Sequence, residues 1–254
     1  MKDYQGYLVD LDGTMYQGKQ RIHAAKEFVE FLHEKGLPHL FLTNNSSKTQ
    51  QEIANKLNDM DIRATKEHVF TSSMATASYL SDKKKNGSAF VIGERGLHEA
   101  IEKKGLRITD EDPDFVVVGI DRGITYEKLT KACLFVRNGA TFVSTNSDIA
   151  IPTERGLLPG NGALTSVITV STGVEPIFIG KPEPIIMEQA LQKLGLSHDE
   201  TLMVGDNYNT DIMAGIQAGL DTLMVFTGVT PFEDLPTLPK KPTYHVQNLS
   251  EWIK

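Results

Sequence analysis

Two carboxylates stand one residue apart at the end of a short apolar stretch near the amino terminus. The chain reads Tyr-Leu-Val-Asp-Leu-Asp-Gly-Thr there, which places the carboxylates at Asp10 and Asp12. Side chains at i and i+2 of an extended chain project to the same side, so both acids can converge on one point. Carboxylates this close repel each other unless a cation or a proton intervenes. The pattern favours a buried metal site over an Asp-rich turn, and Gly13 allows the backbone to turn away.

Polar and charged residues also follow other apolar stretches of the chain or begin helices. Hydroxyl and amide groups occur from Thr43 onward, a lysine stands at Lys181, and a further carboxylate follows Gly205. Each group alone has an ordinary explanation, such as a helix cap or a surface charge. Because open α/β sheets bind ligands at the carboxyl ends of their strands, the groups together predict one shared site. The candidate members are Thr43, Asn44, Asn45, Lys181, Asp206, Asn207 and Asp211.

Short apolar runs alternate with helical patterns, which predicts βαβ units and parallel sheets. The outer parts of the chain contain strands at 7–10, 39–43, 201–204 and 222–226 and helices at 24–34, 49–58, 183–194 and 212–218. A middle section contains strands at 89–92, 115–120 and 141–145 and helices at 97–104, 126–138 and 163–172. The segments on either side of this section resemble linkers, and the one at residues 81–87 is rich in lysine. We therefore expect a doubly wound parallel-sheet α/β core from residues 1–79 and 178–254, with an inserted α/β domain of residues 80–177.

Composition narrows the classes of function. The 254 residues carry a formal net charge of −7, so no basic field is available to bind nucleic acid. No apolar stretch is long enough to cross a bilayer and no secretory leader is visible, which favours a cytoplasmic protein. The single cysteine, Cys133, excludes an intramolecular disulfide and is expected in the core. The sequence leaves the oligomeric state open.

With these motifs in this order, the chain resembles the phosphatases of the haloacid dehalogenase (HAD) superfamily. Asp10–Thr14, Thr43-Asn44, Gly180-Lys181-Pro182 and Gly205–Asp211 match the four motifs of that superfamily in turn. The size and content of the middle section are similar to the α/β cap of the NagD-like branch. The resemblance covers essentially the whole chain and implies a HAD-like core with an inserted cap domain.

The resemblance also implies a mechanism for hydrolysing a phosphomonoester. Asp10 would be the nucleophile that forms an aspartyl-phosphate, and Asp12 the general acid and then the general base. Mg²⁺, which prefers oxygen ligands, would be held by the carboxylates of Asp10 and Asp206 and the carbonyl of Asp12. Asp211 and Asn207 would orient Lys181, the metal ion or its bound waters without touching the substrate themselves. The phosphate would be bound by Gly13, Thr43, Asn44, Asn45 and Lys181, of which Thr43 and Lys181 also stabilise developing charge.

The expected substrate is a small phosphomonoester, such as a sugar or acid-sugar phosphate, with p-nitrophenyl phosphate as a surrogate. Nucleotide and pyridoxal phosphates remain alternatives, and a non-catalytic phosphate-binding protein is a less favoured one. The resemblance disfavours a sugar phosphomutase, since such relatives carry a helical cap after the first motif, and Asp12 disfavours a dehalogenase. Leaving-group specificity is expected in the cap loop 146–156, where Asn146 or Arg155 would contact the substrate and Ile149 and Ile151 would limit its bulk.

Two further patterns imitate functional motifs. Gly160-Asn161-Gly162 resembles the start of a dinucleotide-binding loop, but Thr165 replaces the third glycine and no strand is expected before it. Thr145-Asn146-Ser147 repeats Thr43-Asn44-Asn45 after another strand. Only the stretch that ends at Thr43 follows the Asp10 strand by a single crossover, so we assign the catalytic threonine there.

Overall fold

The structure is a computed structural model that describes residues 2–253. The strands are β1 (Gly6–Val9), β2 (Tyr16–Gln17), β3 (Gln20–Arg21), β4 (His39–Thr43), β5 (Val69–Thr71), β6 (Ser88–Ile92), β7 (Arg107–Ile108), β8 (Phe115–Val118), β9 (Thr141–Ser144), β10 (Ala150–Thr153), β11 (Gly156–Pro159), β12 (Ile177–Phe178), β13 (Thr201–Gly205), β14 (Asp221–Val225) and β15 (Tyr244–Val246). The α-helices are α1 (Ala25–Glu34), α2 (Gln50–Asp59), α3 (Ser72–Lys83), α4 (Arg95–Lys103), α5 (Tyr126–Arg137), α6 (Asn161–Thr172), α7 (Pro184–Leu194) and α8 (Met213–Gln217).

The chain divides into two compact units. The first unit comprises the described residues of 1–43, 50–70 and 181–254, and the second comprises residues 44–49 and 71–180. The boundaries expected from the sequence lie at residues 80 and 177. The helix α3 runs through the first of these positions, so a domain break there would cut a continuous helix. The limits of a cap domain within the second unit stay a prediction.

A six-stranded sheet organises the first unit, with strand order β15-β14-β13-β1-β4-β5. The pairs from β15 through β4 are parallel, and Val9 lies between Val204 on one side and Phe41 on the other. All four residues of β1 are buried, as the apolar run at the amino terminus predicts. Because β1, β4 and β13 are adjacent and parallel, the residues that follow them are brought to the same edge of the sheet.

The helix α1 shows how the sequence covers this sheet. Its buried residues are Ala25, Phe28, Val29 and Leu32, which are spaced three and four apart and form one apolar face. These side chains belong to the same apolar cluster as residues of β1, β4, β13 and β14. The chain then turns at Gly36, whose φ of 65° is unfavourable for other residues, and enters β4.

A five-stranded parallel sheet with strand order β12-β9-β8-β6-β7 forms the second unit. Four helices, α3 to α6, belong to the same unit. Cys133 is buried in its apolar cluster with residues of β6, β8 and β9, which confirms the prediction that this cysteine is a core residue. The predicted α/β fold class is thereby confirmed, and every predicted strand and helix is present with ends that shift by at most two residues.

Three segments differ from what the sequence indicated. The flank 81–87 was expected to be a linker, but its first three residues form the last turn of α3, where exposed polar side chains are compatible with a helix. The loop 146–156 contains β10, which pairs with β11 as an antiparallel hairpin. The strand β11 therefore precedes Gly160, contrary to expectation. It belongs to a hairpin rather than a βαβ unit, so a dinucleotide-binding loop is still not indicated.

Within residues 2–253, no helix combines the length and the apolar character needed to cross a membrane.

Candidate active site

A buried lysine between two buried carboxylates forms the centre of the candidate site. Asp10 directly follows β1, Lys181 lies between β12 and α7, and Asp211 lies in a helical turn after β13. The Lys181 Nζ donates to Asp10 Oδ1 at 2.5 Å, lies 2.7 Å from Asp211 Oδ1 and donates to the Leu42 carbonyl at 3.1 Å. All three charged residues are at most 7% exposed. Lys181 thus connects Asp211 to the carboxyl ends of β1 and β4, although these residues are far apart in the chain.

The charges at this centre depend on one another. Burial raises the pKa of Asp10 well above its ordinary value, and the neighbouring carboxylate of Asp211 adds to this effect. Burial would lower the pKa of Lys181, but the charges of Asp10 and Asp211 outweigh it and raise this pKa. The lysine is therefore a permanent cation, and its presence favours the ionised form of Asp10.

Asp206 is the third buried carboxylate and directly follows β13. Its Oδ1 accepts from the Thr14 hydroxyl at 3.0 Å, and its Oδ2 accepts from the Val229 N–H at 2.6 Å. Burial and the charge of Asp211 raise the pKa of Asp206 to about 6, although the two hydrogen bonds act in the opposite direction. The hydrogen bonds from Thr14 and Val229 therefore fix the position of the Asp206 carboxylate, but they do not compensate its negative charge fully.

The three carboxylates fit a hard divalent cation. Oxygen atoms of Asp10, Asp206 and Asp211 all lie within 4.8 Å of one another, and all three side chains are buried. One lysine balances only one of three negative charges, and the raised pKa values of Asp10 and Asp206 indicate the shortage of cation. Carboxylate oxygens are the ligands that Mg²⁺ and Ca²⁺ prefer. The expected ligands Asp10 and Asp206 are thus together, and Asp211 lies beside them with one oxygen on Lys181.

Two glycines allow the backbone to approach Asp206 closely. Gly13 has a φ of 98°, and a Cβ there would collide with the Asp206 carboxylate. A Cβ on Gly228 would collide with the same carboxylate and with the Gly13 backbone. The loop after β1 and the loop after β14 therefore meet at Asp206, and side chains are excluded at both positions.

Asp12 and Thr43 occupy different environments from the buried cluster. Asp12 is exposed, and its carboxylate is not part of the cluster of Asp10, Asp206 and Asp211. Its backbone bridges to Tyr16 in the turn that leads into the β2–β3 hairpin. Thr43 is the last residue of β4 and is half-buried, next to the Leu42 carbonyl that Lys181 contacts.

A π-helical turn, Tyr208–Ile212, carries Asp211. The Asn207 Oδ1 accepts from the Asn209 N–H at 3.0 Å, and the Asp211 Oδ2 accepts from the Asn207 N–H at 3.1 Å. Asn207 therefore holds the turn that positions Asp211, and its role toward Lys181 or a metal stays a prediction. Such single-turn π segments are frequent at functional sites.

The loop 227–230 is a part of the site that the sequence reasoning did not identify. The Thr227 hydroxyl donates to the Gly13 carbonyl at 2.6 Å, and the Thr230 hydroxyl accepts from the Tyr208 N–H at 2.9 Å. Val229 supplies the N–H bonded to Asp206. The sequence does contain an indication of this loop, because its polar residues follow β14 at the same carboxyl edge of the sheet as the recognised motifs.

The other predicted substrate-binding residues lie in the second unit. The Asn44 carbonyl accepts from the Asn146 Nδ2 at 2.9 Å, and the Asn44 Nδ2 donates to both oxygens of Asp148 at 3.2–3.3 Å. The Asn146 Oδ1 accepts from the Asp148 N–H at 3.1 Å. The Asn45 Oδ1 accepts from the Lys48 N–H at 2.9 Å and from Ser47. These contacts brace loops of the second unit, whereas Arg155 is exposed at the turn of the β10–β11 hairpin.

Two family models match the chain, a haloacid dehalogenase-like hydrolase over residues 7–107 and a HAD-hydrolase-like model over residues 178–252. The 5'-nucleotidase YutF of Bacillus subtilis is 62% identical over 253 residues, which cover 100% of this chain and 99% of that protein. The chain belongs to the haloacid dehalogenase-like hydrolases.

Two further relatives indicate the branch of the superfamily to which this hydrolase belongs. The acid sugar phosphatase of Staphylococcus aureus strain USA300 is 55% identical, with 100% of this chain and 98% of that protein covered. The solved structure of NagD from E. coli K-12 superposes with a TM-score of 0.93 at 37% identity, covering 98% of each chain. The resemblance stated from the motifs is confirmed: the chain is a NagD-like phosphatase, a hydrolase that acts on phosphoric monoesters.

Proposed function

We propose that this HAD phosphatase hydrolyses small phosphomonoesters with the help of Mg²⁺ and through an aspartyl-phosphate on Asp10. The observation that carries the proposal is the buried Asp10 carboxylate, bound to Lys181 at 2.5 Å beside Asp206 and Asp211 at the carboxyl edge of the parallel sheet. Asp10 directly follows a strand, and Lys181 favours the ionised form of its carboxylate, which is the nucleophilic form.

The first chemical step forms the covalent intermediate. A carboxylate oxygen of Asp10 attacks phosphorus, and the bond between phosphorus and the ester oxygen breaks. Asp12, which is exposed and so can reach the leaving group, donates its proton to the departing oxygen. The Lys181 ammonium and the Thr43 hydroxyl stabilise the negative charge that the phosphoryl oxygens develop.

The second step regenerates Asp10. Asp12, now a carboxylate, accepts a proton from a water molecule, and the resulting hydroxide attacks the phosphorus of the aspartyl-phosphate. The bond between phosphorus and the Asp10 oxygen breaks, which releases inorganic phosphate and restores both aspartates. Asp211 holds Lys181 in place during both steps through its contact of 2.7 Å.

The residues that would hold Mg²⁺ are Asp10 and Asp206, with the Asp12 carbonyl as a further oxygen ligand. When bound, the ion supplies Lewis-acid stabilisation of the phosphoryl oxygens. Thr14 and Val229 fix both oxygens of Asp206, so this carboxylate is pre-positioned before any ligand binds.

Removal of Mg²⁺ is expected to abolish the phosphatase activity. Excess EDTA should reduce phosphate release to background, and added Mg²⁺ should restore it. Asp206→Asn should raise the Mg²⁺ concentration for half-maximal activity at least about ten-fold, because one anionic ligand is lost. The control is Asp234→Asn, which removes an exposed carboxylate of the same unit. Full activity in excess EDTA would contradict the proposed metal dependence.

The proposed substrate class is sugar or acid-sugar phosphates, with nucleoside monophosphates as the second candidate. The relatives named acid sugar phosphatase and 5'-nucleotidase support one class each. Phosphate release from a panel of sugar phosphates, nucleoside monophosphates, pyridoxal phosphate and p-nitrophenyl phosphate tests the proposal, with Asp10→Asn protein as the blank. A kcat/KM that favours one class identifies it, and no turnover of any small ester would refute the function.

Leaving-group specificity is expected to depend on the β10–β11 hairpin and the residues before it. The groups around Asp10 act on the phosphoryl unit that all substrates share, so discrimination requires other residues. Ile149 and Leu157 are large apolar side chains that are 78% and 75% exposed, which suits contact with a ligand. We expect Ile149→Ala and Arg155→Ala to change the ranking of kcat/KM among substrates about ten- to a hundred-fold.

The matched control for this prediction is Val170→Ala, which truncates an apolar side chain of α6 that is 83% exposed. It should leave the ranking unchanged. Hydrolysis of p-nitrophenyl phosphate should change less than that of natural esters in the hairpin variants. An equal loss of rate for every substrate in Ile149→Ala and Arg155→Ala would show that the hairpin does not determine specificity.

A further inference from the structure

Three histidines of the first unit come together at the end of the sheet opposite to the carboxylates. His33 lies in the last turn of α1, His39 is the first residue of β4, and His68 ends the short 3-10 helix Lys66–His68 before β5. Each offers a ring nitrogen within 4.8 Å of the others. The ring centroids of His33 and His39 are 5.1 Å apart, and those of His39 and His68 are 4.7 Å apart.

The histidines line a surface cavity with a volume of about 490 Å³. Apolar residues of α1, β4 and α7 also line it, together with the charged residues Glu67 and Lys193. The volume is sufficient for an ion with bound water and for movement of a ring. The cavity is separate from the candidate active site. His39 and Thr43 stand at opposite ends of β4, which are about 13 Å apart at the rise of an extended strand.

Two ring nitrogens in this cluster lack the partner that a buried polar atom needs. Among the described residues, no hydrogen bond reaches His33 Nε2 or His39 Nε2, and both atoms are inaccessible to solvent. His39 as a whole is 3% exposed. Buried polar atoms are nearly always hydrogen-bonded, so two unpaired nitrogens on rings whose centroids are 5.1 Å apart indicate a ligand that satisfies both.

The protonation of the cluster suits a metal rather than a proton. His39 Nδ1 lies 3.2 Å from the Leu37 carbonyl, a contact that places the hydrogen on Nδ1 and leaves the lone pair on Nε2. Burial lowers the pKa of His39 to about 4, and burial followed by the proximity of His33 lowers the pKa of His68. Neutral imidazole is the form that binds metal ions, and the lowered pKa values of His39 and His68 favour this form.

We propose that His33, His39 and His68 bind one divalent transition-metal ion, of which Zn²⁺ is the natural probe. Three imidazoles with water or the Glu67 carboxylate would complete a four-coordinate shell. Imidazole nitrogen selects Zn²⁺, Cu²⁺ or Ni²⁺ over the Mg²⁺ that carboxylates prefer, so the two sites take different ions. The ion would cross-link α1, β4 and the segment before β5, and would stabilise the fold.

One ring has to turn on binding. The rings of His39 and His68 are parallel within 2°, and parallel stacked rings cannot both direct a lone pair at one ion. His68 is the less buried of the two and is held through Nδ1, which lies 3.1 Å from the Thr65 N–H and 3.2 Å from the Thr65 hydroxyl. The Nδ1 lone pair accepts from the Thr65 N–H, so this contact has to break and the ring has to turn before His68 can direct a lone pair at the ion.

Calorimetric titration of the full chain with ZnCl₂ in excess Mg²⁺ tests the proposal. The wild type should bind one Zn²⁺ per chain, and Asp206→Asn should bind it equally, because the carboxylate cluster is not involved. His33→Gln and His68→Gln, at partly exposed positions, should each weaken Zn²⁺ binding by at least about ten-fold. His23→Gln, which removes an exposed histidine outside the cluster, is the matched control and should not change it. Circular dichroism establishes that each variant is folded.

A second measurement avoids variants. Cu²⁺ bound to the wild type should give an electron paramagnetic resonance spectrum with hyperfine coupling from several imidazole nitrogens. Zn²⁺ should also raise the unfolding temperature, increasingly so as its free concentration exceeds the dissociation constant, since it binds the folded chain. Absence of Zn²⁺ binding by the wild type, an unchanged affinity in His33→Gln and His68→Gln, or a Cu²⁺ spectrum with oxygen ligands alone would each overturn the proposal.

Discussion

Replacement of Asp10 by Asn is expected to abolish phosphatase turnover and leave the protein folded. An amide has no anionic oxygen, so the attack on phosphorus and the covalent intermediate are both lost. The expected decrease in kcat is several powers of ten, since covalent catalysis and charge stabilisation are removed together. Phosphate release under single-turnover and steady-state conditions measures the effect.

The buried position of Asp10 makes the folded state of this variant predictable. Asn has the same shape, and its Oδ1 can still accept from the Lys181 Nζ that contacts Asp10 Oδ1 in the wild type. It also removes one of three carboxylates that share one lysine, and the raised pKa of Asp10 shows that this charge is unfavourable in the fold. The unfolding temperature should therefore stay the same or rise.

Asp12→Asn is the informative comparison for Asp10→Asn. Asp12 is exposed, so its replacement should leave the unfolding temperature unchanged. It should slow turnover of esters with poor leaving groups more than turnover of p-nitrophenyl phosphate, whose leaving group needs little protonation. Near-wild-type turnover by Asp10→Asn would refute the assignment of the nucleophile, whichever result Asp12→Asn gives.

The parts of the site that the sequence predicts are those attached to strand ends. Asp10, Thr43 and Asp206 each follow or end a strand that reads as a short apolar run, and parallel strands bring such ends together. Lys181 could be associated with them because it stands just before a predicted helix, and the resemblance supports this, but nothing local in Gly180-Lys181-Pro182 indicates that this lysine is buried. The structure shows Lys181 to be 2% exposed, with its charge balanced by residues 171 and 30 positions away in the chain.

The parts that the sequence does not predict depend on contacts distant in the chain. Asn44 is the neighbour of Thr43 in sequence, yet its carbonyl and amide contact Asn146 and Asp148 of the second unit. The β10–β11 hairpin lacks a regular alternation of polar and apolar residues, and Pro152 argues against a strand. The three histidines of the cluster come from three different elements and share no sequence motif. Only the fold brings them together.

The second large effect is expected at Lys181, and it concerns stability as well as catalysis. Lys181 is the cation shared by Asp10 and Asp211, and it also occupies the Leu42 carbonyl at the end of β4. Removing one partner of a buried ion pair leaves an uncompensated charge, which typically costs about 3–5 kcal/mol of stability. Lys181→Met, which keeps the length of the side chain and removes its charge, should lower the free energy of unfolding by about this amount.

The loss of stability should depend on pH in a definite direction. Burial and the charge of Asp211 raise the pKa of Asp10 in the folded state, and removal of the lysine takes away a positive charge that opposes this shift. A raised carboxyl pKa favours folding at low pH, and this contribution is lost as the pH increases through the folded-state pKa. The difference in stability between wild type and Lys181→Met should therefore be largest near neutral pH and should shrink as the pH is lowered toward 5. Urea unfolding at several pH values measures it.

The double variant Lys181→Met/Asp211→Asn separates the electrostatic explanation from loss of packing. If uncompensated charge causes the destabilisation, removing the Asp211 carboxylate should recover a substantial part of the lost stability, because Asp10 then loses one of its two anionic neighbours. Activity should not recover in the double variant, since no cation stabilises the developing phosphoryl charge, and kcat should remain lower by about 10²–10³ or more. A double variant that is less stable than Lys181→Met would show that Asp211 stabilises the fold through its bonds to Asn207 rather than through Lys181.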